Sequence, residues 1–328
     1  RPLDELSISP EGLSPRLIKN GYDSYSMLNG RVYALPLDPS VQIFLYRTDL
    51  FHDAKLCRAY YERFHENLVV PTTYEQYLHA AEFFTRSCNP DSPTEYGTTM
   101  TCGSASVAAS DFLPFYLSRI DRFGSTPETL RLDCPEMQAA MRQYHALEKF
   151  SCKQNWWGDS IQKFAEGKTA MTVIYSNYAA ELINSGNSVV VGRVGAAILP
   201  GCKPLLGGGI VGISRYSQKA EACKQFFHWY YSADVASLLV RLGGTSPIVD
   251  AYEDFQNYSI FPWMNTSKKS FGLGQRGVIN QTPERFSIPK YEFAVGTAIR
   301  NVVQDLMTPE DASRMAQALY DAADPVCR

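Results

Sequence analysis

Apolar residues recur along this chain at two spacings, one of two residues and one of three to four, and these mark short β-type runs and helix-length segments. Val32-Tyr33-Ala34-Leu35 and Val41-Gln42-Ile43-Phe44-Leu45-Tyr46 are rich in β-branched and aromatic residues and are bounded by Asn29-Gly30 and Pro36. They predict a strand, a short turn and a second strand. Residues 54–68 have helical spacing, and Pro71-Thr72-Thr73-Tyr74-Glu75 supplies an N-terminal cap ahead of Tyr77, Leu78, Ala81 and Phe84. A turn-rich stretch, Cys88 to Glu95, then leads through a short strand to the small-residue run Cys102-Gly103-Ser104-Ala105-Ser106.

Helical spacing resumes over Ala109–Ile120 and Pro135–Phe150, and Asp159 is placed to cap a helix that Gly167 stops. Ala170–Ile174, Val189–Leu199 and the glycine-rich Gly207–Ile213 read as strands. Ser217 is expected to cap a helix running to Tyr231, a second helix and the turn Gly243–Pro247 follow, and Phe255–Arg285 reads as irregular. A closing helical pair spans Tyr291–Ala323, divided at Thr308-Pro309-Glu310. Strands separated by helix-length segments predict parallel α/β layers.

At 328 residues the chain exceeds one ordinary core and suits two lobes with a cleft between them. A net charge of −3 provides no positive field to collect nucleic acid or anionic lipid, so neither is expected as a partner. No stretch reaches the ~18 apolar residues of a membrane span, and the first residues lack the order of a secretory signal. Eight cysteines are scattered without C-x-x-C spacing, which argues against structural zinc and favours isolated thiols. The 20 tyrosines offer flat apolar faces with hydroxyls attached, a surface that suits sugar rings, although most serve packing.

Motifs for chemistry are weak. Gly207-Gly208-Gly209-Ile210-Val211-Gly212 has G-x-G-x-x-G spacing but leads into a β-type run rather than a helix, so phosphate binding is not expected. Ser104 lacks the last glycine of a nucleophile elbow, and the five histidines include no H-x-x-x-H pair. Asp49, Asp53, Glu62 and Glu66 have the spacing of solvated helix faces rather than of a glycosidase pair. No catalytic residue, metal ligand or cofactor is expected. Trp156-Trp157 has two readings, a stacking surface for a sugar or an apolar lead-in to the helix at Asp159.

Four segments, in order, resemble the extracellular solute-binding proteins of ATP-driven sugar importers, the maltose-binding-protein-like family. Asn29-Gly30-Arg31-Val32-Tyr33-Ala34-Leu35-Pro36, continuing to Leu45-Tyr46-Arg47-Thr48-Asp49-Leu50-Phe51, is similar to that family's first signature. Pro71-Thr72-Thr73-Tyr74-Glu75 resembles its "P-x-T-w-e-e" helix start, and Phe164-Ala165-Glu166-Gly167-Lys168-Thr169-Ala170-Met171 its "F-x-x-G-k-x-A-M". Gly195-Ala196-Ala197-Ile198-Leu199-Pro200-Gly201 with Gly207-Gly208-Gly209 resembles "v-x-x-l-P-g … g-G". The likeness begins near the family's "L-x-p-L-d" turn, at Arg1-Pro2-Leu3-Asp4, so the first β-α steps are expected to be lacking.

The resemblance implies a two-lobed α/β fold of the type II periplasmic-binding-protein kind, with parallel or mixed sheets flanked by helices. It puts residues 1–38 and about 200–257 in a first lobe, and 43–198 and about 285–328 in a second. Crossings are implied near 38–43, 198–205 and 257–290. The positions it implies for ligand contact are Asp38, Ser40, Gln42, Ser104, Ala105, Tyr175, Ser176, Asn177, Tyr178, Gly208, Gly209, Thr245, Ser246, Tyr291 and Glu292, and Trp156 joins them as a stacking candidate. Ser40 falls where maltose-binding protein has a cleft carboxylate, which speaks against the same sugar.

The implied function is capture of a mono- or oligosaccharide by lobe closure, without catalysis, as the extracytoplasmic component of an importer that docks on membrane permease subunits. Two other readings stay open: a cytoplasmic sensor fused to an upstream DNA-binding domain, and a glycosidase.

Overall fold

A computed structural model describes residues 2–4, 16–18, 26–28, 30–120, 131–184, 186, 188–258, 261–275 and 288–322. Ten strands are formed: β1 (Met27–Leu28), β2 (Arg31–Val32), β3 (Ala34–Pro36), β4 (Ser40–Arg47), β5 (Thr98–Thr101), β6 (Ser151–Gln154), β7 (Met171–Tyr175), β8 (Val194–Ala197), β9 (Leu206–Gly207) and β10 (Ile210–Gly212). The helices used below are α1 (Ala54–Phe64), α2 (Tyr74–Phe83), α3 (Ala105–Leu117), α4 (Pro135–Glu148), α5 (Trp157–Ala165), α6 (Ala220–Tyr230), α7 (Ala233–Arg241), α8 (Trp263–Leu273), α9 (Ile288–Val303) and α10 (Pro309–Asp321).

β4 is the structural axis. Its side chains alternate across the sheet, so Val41, Ile43 and Leu45 enter one hydrophobic core while Phe44 and Tyr46 pack on another. The core on the Phe44 side is built with α2, α3, α4, α9 and α10. The other gathers Leu3, Leu35, Ile161, Phe164, Ile174, Phe227 and Tyr231 with Trp263 and Phe271 of α8. Gln42 sits on the Phe44 side at 1% exposure, and both ends of its amide are bonded: Nε2 donates to Ser110 O at 2.8 Å, and Oε1 accepts from Leu205 N at 2.9 Å.

Parallel layering, expected from the strand-helix alternation, is confined to part of the molecule. β5 and β6 pair in parallel, with Thr98 opposite Ser151, and a parallel bridge joins Tyr96 to Thr169 just ahead of β7. β7 and β8 instead flank β4 antiparallel, with Gln42 opposite Tyr175 and Phe44 opposite Ala197. β4 continues the direction of β3 through the three-residue connection 37–39, and β7, β8 and β9 all run against it.

Several local expectations are corrected. Asp159 lies in the first turn of α5 while Trp156 is its N-cap residue, without a side-chain cap bond. α6 begins at Ala220 after Lys219, and the Ser217 hydroxyl accepts from Lys219 N instead of capping the helix. The run Val189–Leu199 forms a strand only over Val194–Ala197, with Val189 and Val191 exposed. Residues 255–275, expected to be irregular, hold α8, which packs on β4 and β8; residues 276–285 lie outside the described residues. The seven described cysteines are free thiols, and Cys327 also lies outside the described residues.

α9 lies against α3 more closely than any residue but glycine allows. A Cβ on Gly296 would stand 1.7 Å from Ala105 O. Gly296→Ala is expected to push the two helices apart and lower stability by about 2–4 kcal/mol, measured by urea unfolding.

The second energetic feature of this core is a buried acid. Asp111 Oδ2 accepts from Tyr144 Oη at 2.6 Å and from Thr101 N at 3.2 Å, and burial still pushes its carboxyl up to about 7. The native state therefore holds a proton that the unfolded chain releases near the ordinary carboxyl value of ~4. Stability should fall as pH rises from ~4 through about 7 and level off above it. Asp111→Asn is expected to flatten that decline, worth on the order of 2–4 kcal/mol, in urea midpoints taken from pH 5 to 8.

Candidate functional site

β5, β6 and the start of β7 run in the same direction, so the chain leaves their carboxyl ends on one side of the molecule. There it forms the turns into α3, into α5 and into the segment Ser176–Tyr178. This is the edge of an α/β layer where ligands gather, because loops and helix N-termini converge on it. The first two turns are locked together, since a Cβ on Gly103 would come within 2.4 Å of Asn155 O. The antiparallel β4 brings its amino end, Ser40, to the same edge, and β9 pairs there with Gly207 opposite Ser40.

A cavity of about 350 Å³ opens among these pieces. Asp38, Ser40, Gly207 and Gly208 line it from the two strand connections, and Ser106, Val107 and Ser110 from one face of α3. Trp156, Trp157, Tyr175, Asn177 and Tyr178 form an aromatic wall, and Glu292 enters from α9. Glu292 is one helical turn before Gly296, so the close α3–α9 approach sets this carboxylate beside Ser106 and Val107.

The aromatic wall is packed in sequence. Trp157 stacks on Tyr175 at 5.6 Å between centroids and 19° between planes, and Trp156 lies 6.0 Å from Trp157. Trp156 is 52% exposed, whereas Trp157 is buried. Burial raises the Tyr178 phenol; the Trp156 indole N–H works against this, and the Asp38 charge adds to it. The phenol therefore stays protonated near neutrality and serves as a donor. The Asp38 carboxylate accepts from Gly209 N at 2.6 Å through Oδ1.

Of the positions that the resemblance implies, Asp38, Ser40, Tyr175, Asn177, Tyr178, Gly208 and Glu292 line this cavity, as does the stacking candidate Trp156. The others lie elsewhere. Gln42 is held in the sheet, and Ser176 Oγ accepts from Val41 N at 3.2 Å. Ser104 caps α3 through Val107 N, Ala105 packs under Gly296, and Gly209 stands behind Asp38. Tyr291 is 1% exposed and meets Tyr320 edge-on in the core. Thr245 and Ser246 are buried in a turn whose Ser246 N–H donates to Tyr252 Oη, away from the cavity.

Val107 and Ser110 were not singled out from the sequence, and Ser106, Trp157 and Gly207 were noted in motifs without being placed among the contact positions. The helical spacing of Ser106 and Ser110 behind the Ser104 cap is the signal that would have found Ser106, Val107 and Ser110. The four carboxylates weighed for glycoside cleavage do not form a pair at one site. Asp49 is held by Arg47, Asp53 caps α1, Glu62 pairs with Arg58, and Glu66 accepts from Tyr60 and bonds His79. A larger groove, about 650 Å³, lies among Thr72, Glu75, Ser118, Arg119, Glu136 and Gln143. It borders α2, the end of α3, α4 and Gly201, and Tyr74 is the one aromatic ring in its described lining. The smaller cavity, with its aromatic wall and carboxylates, is the stronger candidate.

Residues 2–263 match the model of the bacterial extracellular solute-binding proteins. The chain belongs to that family. Solved structures with the same fold include a solute-binding protein of Agrobacterium radiobacter K84 in complex with ribitol, at 21% identity and a TM-score of 0.77 over 96% of this chain and 78% of that one. Another, from Agrobacterium vitis S4 with bound D-mannitol, gives 20% and 0.75 over 98% and 79%. A maltose-bound T. maritima protein gives 20% and 0.73 over 94% and 81%. The fold is thus the two-lobed α/β arrangement of type II periplasmic binding proteins.

In a solute-binding protein the glycines beside the cavity bear on both shape and stability. Gly208 has φ +95°, and a Cβ there would stand 2.2 Å from Asp38 O. Gly208→Ala is expected to cost about 1–3 kcal/mol in urea unfolding.

Proposed function

We propose that this chain captures a sugar or sugar alcohol by closing its two lobes on the cavity, as the extracytoplasmic, non-enzymatic component of an ATP-driven importer. The cavity itself carries the reading: stacked aromatic rings face hydroxyl, amide and carboxylate groups across a space of about 350 Å³. The apolar C–H faces of a sugar suit Trp156, Trp157 and Tyr175, and its hydroxyls suit Asp38, Ser40, Asn177 and Glu292. Ribitol, mannitol and maltose in structures of the same fold support this class of solute.

In this reading residues 1–38 and about 200–257 form the first lobe, and 43–198 and about 285–328 the second, joined near 38–43, 198–205 and 257–290. Closure presents a new surface for membrane permease subunits, and no bond in the solute is made or broken.

A thermal-shift screen of ribitol, D-mannitol, D-tagatose and maltose against amino acids, peptides and divalent metals tests the assignment. Sugars or sugar alcohols are expected to raise the melting temperature. A rise with amino acids, peptides or metals and none with any sugar would falsify it. Trp156→Ala removes a half-exposed ring at little cost in stability and is expected to weaken binding about tenfold.

A further inference from the structure

Two of the proposed connections between the lobes run side by side as an interrupted antiparallel ribbon. On the first-lobe side Pro36 opposes Ile210, and on the second-lobe side Ser40 opposes Gly207. Between these pairs one strand has three residues, Leu37, Asp38 and Pro39, and the other has two, Gly208 and Gly209. The extra residue makes a bulge, and the ladder is broken at the same level on both strands.

Both flanks are firmly held. Tyr231 Oη donates to Pro36 O at 2.6 Å, and Tyr230 Oη donates to Leu37 O, which ties the first flank to α6. Val41 N donates to Ser176 Oγ, and Gln42 bonds Ser110 and Leu205, which ties the second flank to α3 and the sheet. Within this ribbon, any change of angle between the flanks must therefore be absorbed by residues 37–39 and 208–209. Two bonds bridge that gap: Leu37 N to Gly209 O at 2.8 Å, and Gly209 N to Asp38 Oδ1 at 2.6 Å. The second is made by a side chain, and that side chain also lines the cavity. Its Oδ2 has no hydrogen-bond partner among the described residues.

We propose that Asp38 is the positioning residue that couples solute to hinge: one carboxylate oxygen holds the Gly209 amide while the other receives a solute hydroxyl. This rests on the lobe-closure reading above and adds to it the residue that transmits occupancy. A solute bonded to Asp38 fixes the carboxylate, the carboxylate fixes Gly209, and the broken level of the ribbon takes one angle. Only a contact that differs between the open and closed arrangements shifts their balance, and a bond made across the broken level of the ribbon is placed to differ in that way.

The test is a double-mutant cycle read by calorimetric affinity and by small-angle X-ray scattering, with ribitol, D-mannitol, D-tagatose and maltose as probes. Asp38→Ala removes both bonds, whereas Asp38→Asn keeps an acceptor for Gly209 N through Oδ1 and turns a donor, Nδ2, towards the solute hydroxyl, whose oxygen can accept it. Gly209→Ala places a Cβ 2.8 Å from Asp38 Oδ1 and displaces the carboxylate. Asp38→Ala and Gly209→Ala are each expected to weaken binding about tenfold and to abolish contraction at saturating probe, with the double variant no worse than the weaker single. Asp38→Asn is expected to retain contraction. Additive losses, with saturated Asp38→Ala contracting as far as the wild type, overturn the coupling and leave the sugar reading standing. If no probe contracts the wild type, lobe closure on a sugar fails, and the coupling fails with it.

Discussion

One strand belongs to two cores, and the rest of the structure follows from that constraint. β4 sends Val41, Ile43 and Leu45 to one side and Phe44 and Tyr46 to the other, so neither core can shift along the strand without disturbing its partner. A slip of one residue would exchange the two faces and drive Gln42 into an apolar layer. Gln42 resists this independently, because both polar atoms of its amide already have partners. The amino end of β4 is thereby fixed, and with it the position of Ser40 at the mouth of the cavity.

The second constraint is the approach of α3 and α9. Gly296 lets one helix rest on the backbone of the other at Ala105, and the cavity is built on the next turn of each. Packing of this closeness transmits position with little slack, since an interior at crystal-like density has few alternative arrangements. Ser106, Ser110 and Glu292 are polar groups on helices rather than on loops, while Trp156 and Trp157 are held by stacking and Tyr178 meets Trp156 edge-on. The wall is therefore organised before any solute arrives, which reduces the entropy lost on binding.

How much of this was legible in the sequence depends on whether one side chain or a tertiary approach decides each feature. The alternation in Val41–Tyr46, the Thr73 capping box and the Thr308 cap are local, and each is found where the pattern puts it. α8 escaped notice because its buried stripe, Trp263, Met264, Ser267, Ser270 and Phe271, includes two serines that mute the hydrophobic signal. The antiparallel order of the central sheet was illegible, because direction follows from how distant segments pair and not from residue type. Tyr291 and Glu292 show the same limit at the site: neighbours on α9 face opposite ways, one into the core and one into the cavity, and only the helix phase separates them.

The lining of the cavity also fixes what closure can do energetically. Its aromatic and helical residues come from one side of the molecule, and the remaining four, Asp38, Ser40, Gly207 and Gly208, from the strand connections. A solute touching only the first group would bind open and closed arrangements alike and shift nothing, however tightly it bound. In the proposed closure, bias has to come from contacts whose geometry depends on the hinge angle, and the connection residues are the ones in the described lining placed to supply them. The glycines there are accordingly constrained from both sides. Gly207 faces the Tyr175 ring and Ser40 Oγ, Gly208 faces Asp38 O, and a side chain at either would hold the ribbon away from the solute.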